Sequence, residues 1–378
     1  MDPILMLAQL LLMGFSALGI VAAAPEGIFR HLLTLLIALG GTLLATRIPP
    51  RWLVSQARWL FALGLLVLLL VLFVGVGPES QQDAQRWLEL GGVYVQPSEF
   101  MKIILVLYLA SFFSRRGTDY PIIGPVLAIG TAAGFVAAET DFGTAIFMLA
   151  LALFILVIIG VPFRRLLAIG LLVLLLVGTI HGMFQHDRFR HIGIRIDAWK
   201  VLNASGPLAG PLHLRPDLLE TLREKDPEYA KKVKDALIQP QRARLILKAA
   251  GPIGHGPGAR PPRILPQRDN DMIFASITYA SGWFGAAVLL LAYALVFARG
   301  LQIAVRSSGA VSMVALGLTG YLTGQALMNV AVVTAVVPVT GISLPMVSRG
   351  GSGLLAAGLA FGILQAISRQ VMSREVAP

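Results

Sequence analysis

The sequence predicts an all-α polytopic membrane protein of about ten transmembrane helices, with one large extracytoplasmic loop between the seventh and the eighth. Hydrophobic residues make up 56% of its 378 positions and charged residues 13%, and the mean hydropathy is +0.76, well outside the range of soluble domains. Apolar runs of roughly 17 to 25 residues recur along the chain, each long enough to cross about 30 Å of hydrocarbon as a helix. Runs such as Leu65 to Phe73 do not alternate, which excludes the short alternating strands of a membrane barrel.

The spans are expected at 4–24, 30–46, 58–77, 98–113, 121–138, 143–161, 165–184, 272–298, 309–337 and 350–368. Met1 to Leu5 lacks the basic stretch of a secretory signal and leads straight into the first span, so no cleavage is expected. Pro97 and Ser98 are start signals for the fourth span, and Asp141 is placed to cap the sixth. In the loop, 187–200 mixes basic, aromatic and aliphatic positions as an interfacial element does. Residues 217–237 are charged and mostly helical with a break at Pro227, and 241–250 form a short basic helix. Gly251 to Gly258 is dense enough in Gly and Pro to force turns. The eighth span begins near Met272. The chain, 1–378, reads as a single membrane domain without internal repeats.

Short loops rich in Lys and Arg stay in the cytoplasm. Arg47, Arg51, Arg58, Arg115, Arg116, Arg164, Arg165, Arg299, Arg306, Arg369 and Arg374 mark one side, against Arg30, Arg86 and Arg349 on the other. Both termini are therefore expected in the cytoplasm and the loop at about 186–271 outside. The net charge of +11 raises the question of nucleic acid, but an outward basic loop beside a membrane is better placed to meet pyrophosphate or acidic lipid, and no nucleic-acid partner is expected. The absence of cysteine excludes disulfides, Cys-based zinc sites and thiol nucleophiles. His181, His186 and His191 are spaced five apart, which does not stack metal ligands on one helix face. No nucleophile-elbow or phosphate-loop motif is present.

Candidate chemistry lies in four places. Asp269 and Asp271 form a carboxylate pair where the polar loop meets the eighth span; the plainer role for Asp271 is to favour that helix start. Glu99 and Lys102, three apart near the start of the fourth span, are either a structural ion pair or substrate contacts, and Glu139 with Asp141 makes a second acidic turn. Near the C-terminus, Pro338 to Gly353 is a turn of Gly, Pro and hydroxyls whose backbone amides, with Arg349, suit an anion such as pyrophosphate. Asn329, inside the ninth span, is expected to bind helices together.

These stretches together resemble the SEDS family of bacterial shape, elongation, division and sporulation proteins, which includes RodA, FtsW and SpoVE. The resemblance covers nearly the whole chain. It rests on Arg86-Trp87 with Gln96 to Lys102, on Asp141 to Ala145, on Gly251 to Gly258, on Leu265 to Ala275, and on Pro338 to Pro345 with Ser348 to Ser352. Leu265 to Ala275 is similar to the family's Leu-Pro-x-x-x-Thr-Asp-Phe-Ile-Phe-Ala. Departures include Glu139-Thr140 in place of Gln-Pro, Asp269 in place of a frequent His, Arg349 in place of an aromatic, and Tyr279 to Gly282 where the family carries acidic residues.

The resemblance implies a peptidoglycan glycosyltransferase that polymerises lipid II into glycan strands on the outer face of the bacterial cytoplasmic membrane, serving cell shape, elongation or division. It implies Asp271 as general base toward the acceptor hydroxyl and places the undecaprenyl-pyrophosphate substrates among Arg86, Ser98, Glu99, Lys102, Asp141, Arg188, Arg190, Ser348, Arg349, Gly350, Gly351 and Ser352. It further implies a divalent cation, Mg2+ or Mn2+, with ligands unassigned, and a class B penicillin-binding protein as transpeptidase partner, docked on the late spans at 309–368. A lipid II flippase and a noncatalytic scaffold are the alternatives; a helix broken at midplane would favour the flippase.

Overall fold

The computed structural model describes residues 1–77, 86–167, 170, 187–203, 216–259, 261 and 265–376. Among them seven helical segments are long and apolar enough to cross a membrane. These are α1 (Pro3–Ala23), α2 (Ile28–Ala45, preceded by a 3-10 turn from Pro25), α3 (Pro50–Val74), and α4 (Pro97–Arg116). The other three follow the shorter apolar α5 (Ile123–Ala138) and α6 (Phe142–Ile158) and the helices of the polar loop, α7 (Asp187–Asn203), α8 (Pro216–Lys225) and α9 (Pro227–Ala249). They are α10 (Ile273–Arg306), α11 (Gly309–Val333) and α12 (Gly351–Val376). The chain is a polytopic, all-helical membrane protein. The expected seventh span at 165–184 lies almost wholly outside the described residues.

Local chemistry sets the helix starts. Asp2 Oδ1 accepts from the amides of Ile4 and Leu5 at 3.1 and 3.2 Å, with Pro3 in the first turn. The third span starts at Pro50, ahead of the expected 58, because a proline in the first turn needs no amide partner. Its Arg51 and Arg58 are exposed and Arg58 rests 4.9 Å from the Trp59 ring.

Small residues bring the spans together. A side chain at Gly358 or Gly362 of α12 would overlap the carbonyls of Ala38 and Thr42 on α2, and Thr42 Oγ1 donates to the Gly358 carbonyl at 2.9 Å. This small-xxx-small seam lets two backbones touch where lipid offers no hydrophobic drive. At the end of the bundle that holds both termini, Asp2 Oδ2 accepts from Arg299 at 2.7 Å and from Ser368 at 2.8 Å, and the Asp2 amide donates to Gln365 at 2.6 Å. The spans α4, α11 and α12 are the most enclosed, while α1, α2, α3 and α10 carry exposed apolar faces. The free surface expected on the late spans for a partner helix is thus small.

Two further features depart from expectation. Residues 241–250 are not a separate helix: α9 runs unbroken through Pro240, because Ala230, Val233, Leu237, Ala243 and Leu247 are buried on one side, and that burial outweighs the roughly 3 kcal/mol an internal proline costs. Together α7, α8 and α9 enclose a small apolar cluster of their own around Ile194, Val201, Leu202, Val233 and Leu237. A two-stranded hairpin, β1 (Leu88–Leu90) and β2 (Val93–Val95), stands before α4. Gly91 and Gly92 make its turn with φ of 58° and 82°, the left-handed pair such a tight hairpin requires.

The span α10 is broken at Gly282, whose φ of 72° and ψ of −179° leave the helix. The Gly251–Gly256 turn repairs the gap. His255 and Gly256 amides donate to the carbonyls of Tyr279 and Ala280, and those of Trp283 and Phe284 donate to Gly251 and Pro252, all at 2.9–3.1 Å. The freed polar groups of a broken span must be satisfied within the protein, and here the loop does so.

Candidate functional site

Asp271 sits immediately before α10, whose N-cap is Met272 with no capping side chain. Capping is therefore not its role. Asn329 of α11 fixes the backbone there, its Nδ2 donating to the Asp271 carbonyl at 2.8 Å and to that of Ile342 at 2.7 Å. Counting along α11 at about 1.5 Å per residue puts Asn329 about 30 Å from Gly309, a hydrocarbon thickness from the end that carries the termini. Asp271 thus lies at the opposite membrane boundary.

The Asp271 side chain is 7% exposed. Burial pushes its carboxyl up from 3.8 to about 6, against the lowering pull of its own backbone amide, of Arg195 and of Gln239, and with a smaller rise from Asp269. The Gln239 amide stands beside it without a well-formed hydrogen bond, its Nε2 having no partner of good geometry. Oδ2 faces the bare backbone of Gly341. A carboxylate so placed is a base whose proton affinity is near neutrality.

Glu139 and Asp141 stand at the turn between α5 and α6. Asp141 caps α6, Oδ1 accepting from the Thr144 amide and Oδ2 from Gln96 Nε2, both at 3.1 Å. Arg86 clamps the turn by donating to the carbonyls of Glu139 at 3.2 Å and Thr140 at 2.8 Å, which stabilises the left-handed Thr140 with φ of 62°. The Glu139 carboxyl is buried with both oxygens unpartnered, and burial, then Asp141, raise it to about 8 against Arg86. Gly143 of α6 packs so closely on the Thr340 carbonyl that a side chain would overlap it. That contact joins this turn to the 338–341 stretch and so to Asp271. Arg195, from α7, donates to the Val339 carbonyl at 3.4 Å. Its residue is more than a third exposed, yet its guanidinium is pushed below the usual range by burial and by Arg86, with Asp271 and Asp141 acting oppositely. Arg195 is thus exposed at its surface side while its charge still acts on Asp271 and Asp141.

The other expected positions fall into different settings. Lys102 Nζ lies 2.9 Å from Glu99 Oε1 and 2.7 Å from Gln325 Oε1, 1% exposed, with the Tyr321 ring 5.1 Å away. Gln325 lies about one turn below Asn329 on α11, so this pair sits beneath Asp271 in the bundle. Glu99 Oε2 and Ser98 Oγ are buried without partners. Ser348 Oγ donates to the Asn270 carbonyl at 2.8 Å and accepts from the Leu344 amide at 2.7 Å, fixing the loop that carries Asp271. Arg349 pairs with Asp269 at 2.9 Å and its amide donates to the Asp269 carbonyl at 2.8 Å. Gly350 and Gly351 lead into α12, and Ser352 Oγ accepts the Gln96 amide at 2.8 Å. The side chains of Arg188 and Arg190 lie outside the described residues. The fold thus brings Asp271, Asp141 and Arg86 to one end of the bundle, with Glu139 in the acidic turn expected beside Asp141; Arg195 and Gln239 were missed.

A family model matches residues 3–204 and 239–373. The chain belongs to the FTSW_RODA_SPOVE family of cell cycle proteins. Family relatives include the peptidoglycan glycosyltransferase MrdB of Escherichia coli strain K12, 28% identical over 100% of this chain and 96% of its own. Another is the probable peptidoglycan glycosyltransferase FtsW of Allochromatium vinosum, 30% identical over 92% of this chain and 81% of its own. In fold, the chain is similar to a chain from a peptidoglycan synthase complex described as coordinating polymerization and crosslinking, with a TM-score of 0.73, 24% identity and 98% of each chain covered. It is also similar to the Rod shape determining protein RodA of Thermus thermophilus, with a TM-score of 0.65, 22% identity, and 98% and 97% of the two chains covered.

Proposed function

We propose that the chain is a peptidoglycan glycosyltransferase that polymerises lipid II at the outer face of the bacterial cytoplasmic membrane, with both termini in the cytoplasm. The observation that carries this is Asp271: a buried carboxyl, pushed up to about 6, at the membrane boundary, with Arg195 within charge–charge reach and Arg86 holding the neighbouring turn. In its ionised form it takes the proton from the acceptor's sugar hydroxyl as that oxygen attacks the donor's anomeric carbon. The carbon–oxygen bond to the diphosphate breaks, and the lipid diphosphate leaves with the bonding electron pair. The hydroxyl must come within hydrogen-bond reach of the carboxylate, and Asn329 holds the backbone that sets this distance.

Among the described residues no group of three or more His, Asp or Glu converges on a metal position, and both Asp141 oxygens are engaged. No residue is assigned to the divalent cation that the family resemblance implies. Mg2+ or Mn2+ carried on the diphosphate itself would need few protein ligands. A class B penicillin-binding protein is the proposed transpeptidase partner. The break in α10 is the feature that favours a transporter, but it stands about 36 Å along the helix from Arg306, far from midplane, and the loop closes it.

Purified protein with labelled lipid II and Mg2+ is expected to make glycan polymer, with a rate that rises with pH through about 6. Asp271→Ala and Asp271→Asn are expected to make none. Polymer from either variant would remove Asp271 as base, and lipid movement across liposomes without polymer would replace the enzyme with a transporter.

A further inference from the structure

Two departures from the family pattern meet in one contact. Where the resemblance leads to a His and an aromatic, this chain carries Asp269 and Arg349, 80 residues apart. Arg349 Nη1 lies 2.9 Å from Asp269 Oδ2, and the Arg349 amide donates to the Asp269 carbonyl at 2.8 Å. The guanidinium lies flat on the turn between α1 and α2, since a side chain at Gly27 would stand 3.3–3.4 Å from its carbon and from both terminal nitrogens. The neighbouring residues are tied down as well. Ser348 holds the Asn270 carbonyl. Ser16 Oγ of α1 donates to the Val347 carbonyl at 2.7 Å, so the His31 ring nitrogen of α2, also 2.7 Å away, donates to Ser16. The segment that ends in Asp271 is thus gripped from α1 and α2 on one side and by Asn329 on the other.

We propose that Asp269 and Arg349 form a positioning clasp for Asp271, which sets the base-bearing segment against the α1–α2 turn and neutralises the like charge two residues away. The side chains of Arg349 and Asp269 are 41% and 24% exposed, and an ion pair so open to water adds little to folding. Its effect falls on the neighbouring carboxyl instead. Asp269 pushes Asp271 up, and Arg349, in contact with Asp269, offsets that push. The other charges at this corner are Arg195 of α7, which pulls Asp271 down, and His31 of α2, within charge reach of Asp269 and Arg349. Arg86, Glu139 and Asp141 stand on the neighbouring turn. The inference rests on the glycosyltransferase reading for its kinetic consequence, and on the contacts alone for its effect on the Asp271 proton.

The test titrates Asp271 in the full chain in detergent, as the wild type, Arg349→Gln, Asp269→Asn and the two combined. Thermal unfolding of each is followed against pH with and without Asp271→Asn, and the pH at which the gain from that substitution levels off reports the folded carboxyl. Arg349→Gln bares the Asp269 charge and should move that pH up by roughly half a unit, while Asp269→Asn leaves Arg349 unpaired and should move it down by roughly as much. The double variant should return to the wild-type value, because a neutral pair and no pair leave the same net field. The acid limb of glycan polymerisation should move in step. Arg349→Gln should also lower the plateau rate about tenfold at unchanged KM, and Arg349→Lys, which keeps the charge, should restore the wild-type limb without the full rate. A levelling pH that stays put, or moves the same way in both single variants, overturns the clasp. So does a loss confined to KM, which would put Arg349 on the substrate. Opposed shifts in a protein that makes no polymer would sink the glycosyltransferase reading alone.

Discussion

Replacing Asp271 by Asn should stabilise the protein at neutral pH while removing its activity. Burial raises the carboxyl from 3.8 to about 6, so the folded chain holds its proton across a range in which the unfolded chain has lost it. Below about 3.8 both states are protonated and the group contributes nothing. Above about 6 both are ionised and folding bears the full cost of the desolvated charge, about 3 kcal/mol. At pH 5 linkage gives about half of that. An Asn of the same shape carries no such cost, so the stability gain of Asp271→Asn over wild type should be largest at pH 8 and about halved at pH 5. Thermal unfolding in detergent at the two pH values measures it. A gain that is the same at both, or a loss of stability at pH 8, would refute the reasoning. The expected trade is that of a site whose chemistry is kept at the expense of stability.

Lys102→Met should be destabilising by about 3–5 kcal/mol, because it leaves the Glu99 carboxylate without its counter-charge inside the bundle. The double variant Glu99→Gln/Lys102→Met should recover most of the loss in the same unfolding assay; no recovery would mean the pair is not coupled. Gly282→Ala should cost more than about 1 kcal/mol, because the added carbon meets the Pro252 carbonyl and the Gly254 amide, backbone that is itself hydrogen-bonded in place. Limited proteolysis should then cut within 251–258, and an unchanged digestion pattern would count against the docked turn.

Much of the bundle was legible because long apolar runs in a membrane protein leave little choice of structure. Asp141 was readable as a cap from its place before Phe142, and Asn329 as helix glue from its isolation in an apolar span, though not that its partner would be the backbone of Asp271. The hairpin was missed although Gly91-Gly92 between Leu88 to Leu90 and Val93 to Val95 carries its signature. The continuity of α9 through Pro240 was not readable, since it depends on tertiary burial rather than on local preference. Arg195 was passed over for Arg188 and Arg190 because charge alone does not tell neighbouring arginines apart; what distinguishes it is the Val339 carbonyl, distant in sequence. The break at Gly282 had a visible glycine, but its meaning rests on the partner turn at 251–256.

The tie from Asn329 to the Asp271 carbonyl makes α11 a ruler. The carboxylate stands at a height above the inner surface that the helix length sets and the loop cannot adjust. A bilayer a few ångströms thicker would drown it in acyl chains, and a thinner one would lift it clear of the plane in which lipid-borne headgroups travel. Turnover in reconstituted membranes should therefore peak at one acyl-chain length, and shortening α11 by a turn should move that peak toward shorter lipids.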